Sequence, residues 1–313
     1  MWDGAGSRTS GRPVDVFVVG SISHDYTLTV SRRPAPGETV GDATLTESSG
    51  GKGANQAIAA ARLGATVALL GRVGNDPVGR AILEELTVQG VNTAFVEATD
   101  VAPTGAAFIT VTAAGESTIV VAPAANATVT THDIERAASA IGTARVLLMQ
   151  LELPVPAVER AVAMAGSETR VVLNASPAVA LSDGLLRRLD VIVVNEPEAG
   201  RMVGRHIGSP EEGIDAAREL RARGPKSVVV TLGEKGAIWV DGRSGHVAAS
   251  AVEVVDTTGA GDAFLGALAV RLCAGAELEE AVAYAVQVGT CAVQSLGAQS
   301  WLPTLEGLGG GAS

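Results

Sequence analysis

Short, almost uninterrupted runs of aliphatic and β-branched residues recur along this chain, with longer Ala- and Leu-rich stretches among them. The first is Val14–Gly20 (VDVFVVG), and Thr66–Leu70, Val146–Met149, Val171–Leu173, Val191–Val194 and Val228–Thr231 repeat it. Between them, Ala54–Leu63, Gly79–Leu86, Val155–Ala165, Gly213–Arg223 and Glu277–Val293 have helical length and spacing. A strand that is apolar at nearly every position has no face to give to water, so both faces must be covered. Alternating strands of this kind with helices predicts an α/β fold, a parallel sheet with helices on both sides. Tyr26–Glu47 and Thr104–Val121 break the alternation. They hold strand formers (Thr27, Thr29, Phe108, Thr110, Thr112, Thr118, Val120) without helical spacing. They fit one small β-sheet projecting from the body, a lid drawn from about 22–48 and 104–122, and on pattern alone they fit ordinary edge hairpins equally well.

Composition narrows the partners. Aromatic residues are only 3% of 313, so Ala, Val, Leu and Ile must build the core. The net charge of −11 repels a phosphate backbone, which argues against nucleic acid and requires any anion site to be local. Cys273 and Cys291 lack metal-ligand spacing and read as buried thiols of a reducing compartment. The most apolar stretch, Ala57–Leu70, is cut by Arg62 and Gly64, far short of the ~20 residues that span a membrane. Residues 1–12 and 306–313 read as tails around a single domain, 13–305, without internal repeats. With no targeting signal visible, a cytoplasmic location is expected.

Four motifs hold residues suited to chemistry. In Val255–Phe264 (VDTTGAGDAF), Asp256 ends a strand-like run, Thr257–Gly261 forms a Gly-rich turn and Asp262 opens a helix. Gly259 and Gly261 allow close approach of backbone to ligand, and first-turn amides favour an anion. Asp262 beside them can accept a proton from an attacking hydroxyl. In Ser49–Ala57 (SGGKGANQA), a second Gly-rich turn feeds a helix. No Ser or Thr follows Lys52, so this is not a P-loop; bare backbone at Gly50, Gly51 and Gly53, with Lys52 and Asn55, suits a polyol. Gly20–Asp25 (GSISHD) follows the first strand and is not a dinucleotide fingerprint. Asp25 can accept both hydroxyls of a vicinal diol, while His24 reads as structural or solvated. Asn195-Glu196-Pro197-Glu198 follows another strand, where Asn195 and Glu198 could hold hydrated Mg²⁺ or simply start a helix. Glu152 is a similar strand-end acid, and Thr231–Gly233 could border a nucleotide phosphate. Asn126-Ala127-Thr128 and Asn174-Ala175-Ser176 match the glycosylation sequon by chance.

Together the motifs GGKGANQA (Gly50–Ala57) and DTTGAGD (Asp256–Asp262), in this order and separation, resemble the two signatures of the ribokinase family of carbohydrate kinases, the phosphofructokinase-B type. The similarity runs from about Val14 to Pro303; Leu147–Glu152 and Gly297–Gln299 resemble its ribose-specific members. The resemblance implies a Rossmann-like body with a β-sheet lid that often dimerises, and ATP-dependent phosphorylation of a small sugar, ribose first. It implies Asp262 as base and the amides of Gly259, Ala260 and Gly261 as anion hole. Ser23, Asp25, Gly51, Lys52, Asn55, Glu152 and Asp262 would meet the sugar. Asn195, Glu198, Thr231, Gly233, Gly236 and Gly261 would face ATP and Mg²⁺, Glu198 through water. Asp256, Thr258, Ala292, Ser295 and Gly297 would surround a monovalent cation, K⁺. Ser23 stands where the family usually has Asn, which shortens one sugar contact, and Trp301 where a Ser often assists the ion. The alternatives are a sibling kinase for deoxyribose, a nucleoside, a keto-deoxy sugar acid or a fructose derivative, and a non-catalytic sugar-binding protein. A nucleoside would need aromatic stacking, for which Phe108 is the obvious lid residue; an anionic sugar would need cations, and Arg32 and Arg33 beside Pro34 read as a solvated turn.

Overall fold

The computed structural model describes residues 14–294 apart from 113 and 115. The strands are β1 (Val16–Val19), β2 (Ser23–Val30), β3 (Thr44–Gly50), β4 (Val67–Gly74), β5 (Val91–Thr99), β6 (Gly105–Thr112), β7 (Ser117–Ala122), β8 (Val146–Gln150), β9 (Arg170–Asn174), β10 (Val191–Asn195), β11 (Ser227–Thr231), β12 (Ala237–Val240) and β13 (Ser244–Val247). The helices are α1 (Lys52–Arg62), α2 (Pro77–Val88), α3 (Thr131–Arg136), α4 (Ala138–Thr143), α5 (Val155–Met164), α6 (Asp183–Leu186), α7 (Glu196–Val203), α8 (Pro210–Ala222), α9 (Ala260–Cys273) and α10 (Leu278–Ala292).

Among the described residues, the main sheet runs β13-β12-β11-β10-β9-β8-β1-β4-β5. Its pairs are parallel from β5 to β11, and β12 and β13 return antiparallel at one edge. Every apolar run singled out in the sequence is one of the parallel strands. Alternate residues feed opposite faces, as pleating requires. Val16 and Val18 join a core with α1, α2, α9 and α10, whereas Phe17 and Val19 join one with α3, α4, α5 and α8.

The order reverses at β1: the chain fills β4 and β5 on one side, then β8 to β11 on the other. Such a switch point opens a crevice at the carboxyl ends of the strands. Above it stands the small sheet, ordered β3-β2-β6-β7. β2 pairs antiparallel with β3 and parallel with β6, and β6 pairs antiparallel with β7. β3 and β7 are exposed almost throughout.

Some local expectations change. The run before Asp256 forms no strand. Val254 and Val255 are exposed, and the Val255 and Asp256 amides donate to the Val293 carbonyl at 2.8 and 3.2 Å, so this segment is tied to the end of α10 rather than to a sheet. Helix α9 begins earlier than expected: Gly259, at φ 76°, is the N-cap, and Asp262 lies inside the first turn. β5, β12 and β13 were not anticipated; β5 and β13 are the two edge strands, where one-sided burial breaks the continuous apolar signal, whereas β12 is an inner strand, buried throughout but only four residues long. Both cysteines are free and half-buried rather than buried. Among the described residues no helix is long and apolar enough to cross a membrane.

Candidate active site

The site is set by how closely α1 and α9 cross. A Cβ on Gly266 of α9 would lie 2.4 Å from the Ala59 Cβ and 2.9 Å from the Ala60 amide nitrogen of α1, so glycine permits the contact. One turn before Gly266 comes Asp262, and one turn before Ala59 come Asn55 and Gln56. The two helix starts therefore meet. Asn55 Nδ2 donates to Asp262 Oδ2 and Gln56 Nε2 to Asp262 Oδ1, each at 2.9 Å. Asp262 is half-buried, and both oxygens of its carboxylate are held. In front of it a Cβ on Gly261 would meet nothing within 4 Å, and Gly261 is exposed. Of the expected anion-hole amides, Ala260 N–H donates to the Thr257 carbonyl at 3.3 Å, so the turn itself engages it. The Gly261 and Asp262 amides lie in a first turn that offers no helical carbonyl.

The start of α1 is pressed against the exit of β1. A Cβ on Gly53 would sit 2.5 Å from the Gly20 carbonyl carbon, and Gly51 has φ 90°. Both glycines are thus required by the backbone itself. The contact brings Ser21, Lys52 and Glu152 together. Ser21 Oγ donates to Glu152 Oε2, the Lys52 amide donates to the same oxygen at 3.2 Å, and Lys52 Nζ lies 3.8 Å from Glu152 Oε1. Burial alone would push the Lys52 ammonium down, but Asp262, Glu152, Glu198 and Asp25 together raise it.

Asp25 folds over Gly50, where a Cβ would lie 2.4 Å from its carboxyl carbon. Burial first, then repulsion from Glu152, push Asp25 up to about 6, against the opposing pull of His24 and Lys52. Its folded value lies above the ordinary 3.8, so ionising it costs stability. The cost is absent below about pH 4, grows as pH rises and is complete above about pH 6. Asp25→Asn is therefore expected to raise Tm at pH 7.5, by the equivalent of ~1–2 kcal/mol after screening, and to leave it unchanged near pH 4. If the ionised carboxylate binds a diol, the sugar KM of the unaltered protein rises as pH falls below 6 while that of Asp25→Asn does not. A flat KM between pH 5 and 8 would remove Asp25 from the sugar site.

Other expected residues are placed less simply. Ser23 is buried, and Asn126 Nδ2 lies 3.3 Å from its Oγ. Asn126 also brackets Ile22 of the β1–β2 turn, accepting from its amide at 2.9 Å and donating to its carbonyl at 2.8 Å. Ser23 is thus a support beneath the site as much as a surface within it. His24 Nε2 pairs with Glu47 at 2.9 Å, and its ring stacks edge-on against Tyr26. Tyr26 stacks in turn on Phe108, its partner in register, with centroids 5.3 Å apart. Alternation puts this aromatic pair on the lid face opposite Asp25. Phe108 is therefore not available to stack a base on the Asp25 side. Arg32 pairs with Glu38, and Arg33 reaches the Ser117 carbonyl, both exposed as the turn reading requires.

Of the residues expected to face a nucleotide, Asn195 and Thr231 are register partners at the ends of β10 and β11. Asn195 and Glu198 form a capping box on α7. Asn195 Oδ1 accepts from the Glu198 amide at 2.8 Å and Glu198 Oε2 from the Asn195 amide at 3.0 Å. The helix-start reading therefore holds, while Glu198 also acts on Lys52 across the crevice. Gly233 faces open space at φ 58°, whereas a Cβ on Gly236 would strike the Val247 carbonyl oxygen at 2.0 Å, so Gly236 serves the β11–β12 return. Asp256 Oδ1 accepts from the Thr258 amide at 2.9 Å. Through the Val293 carbonyl this loop adjoins Ala292 at the end of α10. Ser295, Gly297 and Trp301 lie outside the described residues. No group of three or more His, Cys, Asp or Glu suited to a metal is found among the described residues.

Sequence reasoning passed over Gln56, Gln150, Asn126 and Asn174. The two asparagines looked like chance sequons; burial inside hydrogen-bonded networks is consistent with that and gives both a structural task.

A carboxylate held beside a glycine-containing helix start, with a second small β-sheet next to a Rossmann-like body, is the arrangement expected of a sugar kinase. The chain belongs to the pfkB family of carbohydrate kinases, whose model matches residues 14–305. It is 39% identical over 295 residues to a ribokinase of Staphylococcus aureus (strain COL), covering 93% of this chain and 97% of that one. It is 34% identical to a deoxyribokinase of Salmonella typhimurium, covering 94% and 97%. A structure of Arabidopsis thaliana ribokinase complexed with ribose and ATP superposes with a TM-score of 0.86 at 29% identity, over 95% of this chain and 98% of that one.

Proposed function

We propose that this protein is an ATP-dependent ribokinase, transferring the γ-phosphoryl group of ATP to the 5-hydroxyl of D-ribose to give ribose 5-phosphate. The observation that carries this reading is the Asp262 carboxylate, fixed by Asn55 and Gln56 beside the open approach to Gly261. Asp262 accepts the hydroxyl proton as the sugar oxygen attacks phosphorus and ADP departs. Amides of the first turn of α9 take the charge spread over the phosphoryl oxygens. Asp25, Lys52, Asn55 and Glu152, with the Gly51 backbone, hold the sugar, and Thr231 and Gly233 border the nucleotide. Mg²⁺, which neutralises phosphate charge when bound, would be held through water by Asn195 and Glu198. A monovalent cation would sit beside Asp256 and Thr258. Exposed apolar residues of the small sheet, Leu45, Ile119 and Val121 among them, fit a homodimer formed through the lid. A cytoplasmic location accords with this metabolic role.

Charge supports a neutral sugar. Asp25, Glu152 and Asp262 face a single ammonium, Lys52, so a sugar acid or phosphate would meet net repulsion while a polyol supplies donors. A deoxy sugar lacks one hydroxyl of the vicinal diol and would leave Asp25 short of a partner, a costly loss in a buried site. ADP release measured over ribose, deoxyribose, fructose, a keto-deoxy sugar acid and adenosine should give ribose the highest kcat/KM, by at least ~10-fold over deoxyribose. Greater turnover of adenosine or a sugar acid would overturn the assignment of substrate, and sugar binding without ADP would overturn the assignment as a kinase.

A further inference from the structure

We infer that Gln56 is a positioning residue for phosphoryl transfer: through a buried amide chain anchored at the ends of β8 and β9, it fixes one oxygen of Asp262 independently of the sugar. This rests on the kinase reading above. The chain is continuous. Gln150 Nε2 donates to Gln56 Oε1 at 2.6 Å, and Gln56 Nε2 donates to Asp262 Oδ1 at 2.9 Å and to Asn174 Oδ1 at 3.4 Å. Asn174 Nδ2 in turn donates to the Val193 carbonyl at 3.3 Å. Gln150 and Asn174 are register partners, the last residues of adjacent strands in the middle of the sheet. Gln56 and Gln150 are wholly buried and Asn174 nearly so.

Burial of so many amides inside an apolar layer needs a reason. Each unpaired polar group there bears its full desolvation cost, and an aliphatic layer would avoid the risk. Gln150 shows the cost: its Oε1 is buried with no hydrogen-bond partner, over Gly20, where a Cβ would lie 2.1 Å away. The network is satisfied along the line that ends at Asp262. Gln56 uses Oε1 for Gln150, so its amide cannot flip without facing donor to donor and carboxylate to oxygen. Its nitrogen is thereby committed to Asp262.

The two oxygens of Asp262 are held differently. Oδ2 receives Asn55, a residue assigned to the sugar, so a bound sugar competes for that amide. Oδ1 receives Gln56, whose supports lie within the sheet and touch no proposed substrate contact. When the sugar engages Asn55, Oδ1 stays fixed and the carboxylate keeps its aim. Misplacement of a reacting group by about 1 Å can cost up to ~10²-fold in rate, so the expected signature is a loss in kcat rather than in binding.

Gln56→Met, close in volume, is expected to lower kcat about tenfold, with ribose and ATP KM within about twofold of the unaltered enzyme. Gln150→Met, which frees Gln56 to rotate without touching Asp262, should show the same split with a smaller loss, and supplies the measurement if Gln56→Met fails to fold. The decisive test combines each with Asp262→Asn. Residues acting through one group are not additive, so the residual kcat of Asp262→Asn should fall no further. Undiminished kcat in folded Gln56→Met or Gln150→Met, or an equal tenfold loss in the Asp262→Asn background, would overturn the inference. Failure of the kinase reading would look different: the unaltered protein would release no ADP with any sugar.

Discussion

Asp262→Asn is expected to fold normally and to turn over with kcat lowered at least ~10²-fold. The replacement is isosteric. Of the two hydrogen bonds that Asp262 accepts from Asn55 and Gln56, one remains with an amide oxygen, and the other site becomes donor facing donor. The structural cost is thus about one hydrogen bond, ~1 kcal/mol. The chemical cost is larger because an amide cannot take the hydroxyl proton, and positioning plus the first-turn amides must act alone. Saturating both substrates separates this from binding: the loss should lie in kcat, with ribose KM little changed. Turnover within a few fold of normal, with a melting temperature close to that of the unaltered protein, would refute the role of Asp262 as base.

The class of fold was legible because continuous apolar strands have one common solution, a sheet covered on both faces. Val16–Val19 and Val191–Val194 show why: every residue is buried, so no alternation was there to mislead. The small sheet was legible from its threonines and aromatics. Its aromatic face was not, because Phe108 was read without the register that pairs it with Tyr26. The same limit applies to the site. Glycines and acids of the two motifs announce themselves by spacing along one segment. Gln150 and Asn174 lie more than ninety residues beyond Gln56, and only the pairing of β8 with β9 and the crossing of α1 over α9 bring them to Asp262. The misplaced strand before Asp256 has a related cause: Val254 and Val255 have strand propensity, but their backbone meets the end of α10 instead of a neighbouring strand.

Gly261→Ala separates glycines kept for folding from glycines kept for a ligand. At Gly53 a Cβ would collide with backbone at 2.5 Å, and Gly51 has a positive φ, so packing and conformation explain both without any substrate. Neither explanation applies to Gly261. It lies in the first turn of α9 without a positive φ, and a Cβ there would meet nothing within 4 Å. Alanine is the better helix former by ~0.5–1 kcal/mol, so the melting temperature of Gly261→Ala should hold or rise. The methyl group would occupy the space through which a phosphoryl group reaches the first-turn amides. Blocking an oxyanion donor of this kind costs ~10²–10³ in rate, so kcat/KM for ATP is expected to fall by ~10² while ribose binding, followed by calorimetry without nucleotide, is retained. An active, stabilised Gly261→Ala would mean that the open space before this helix is not where the phosphate travels, and the anion hole would have to be sought elsewhere along the crevice.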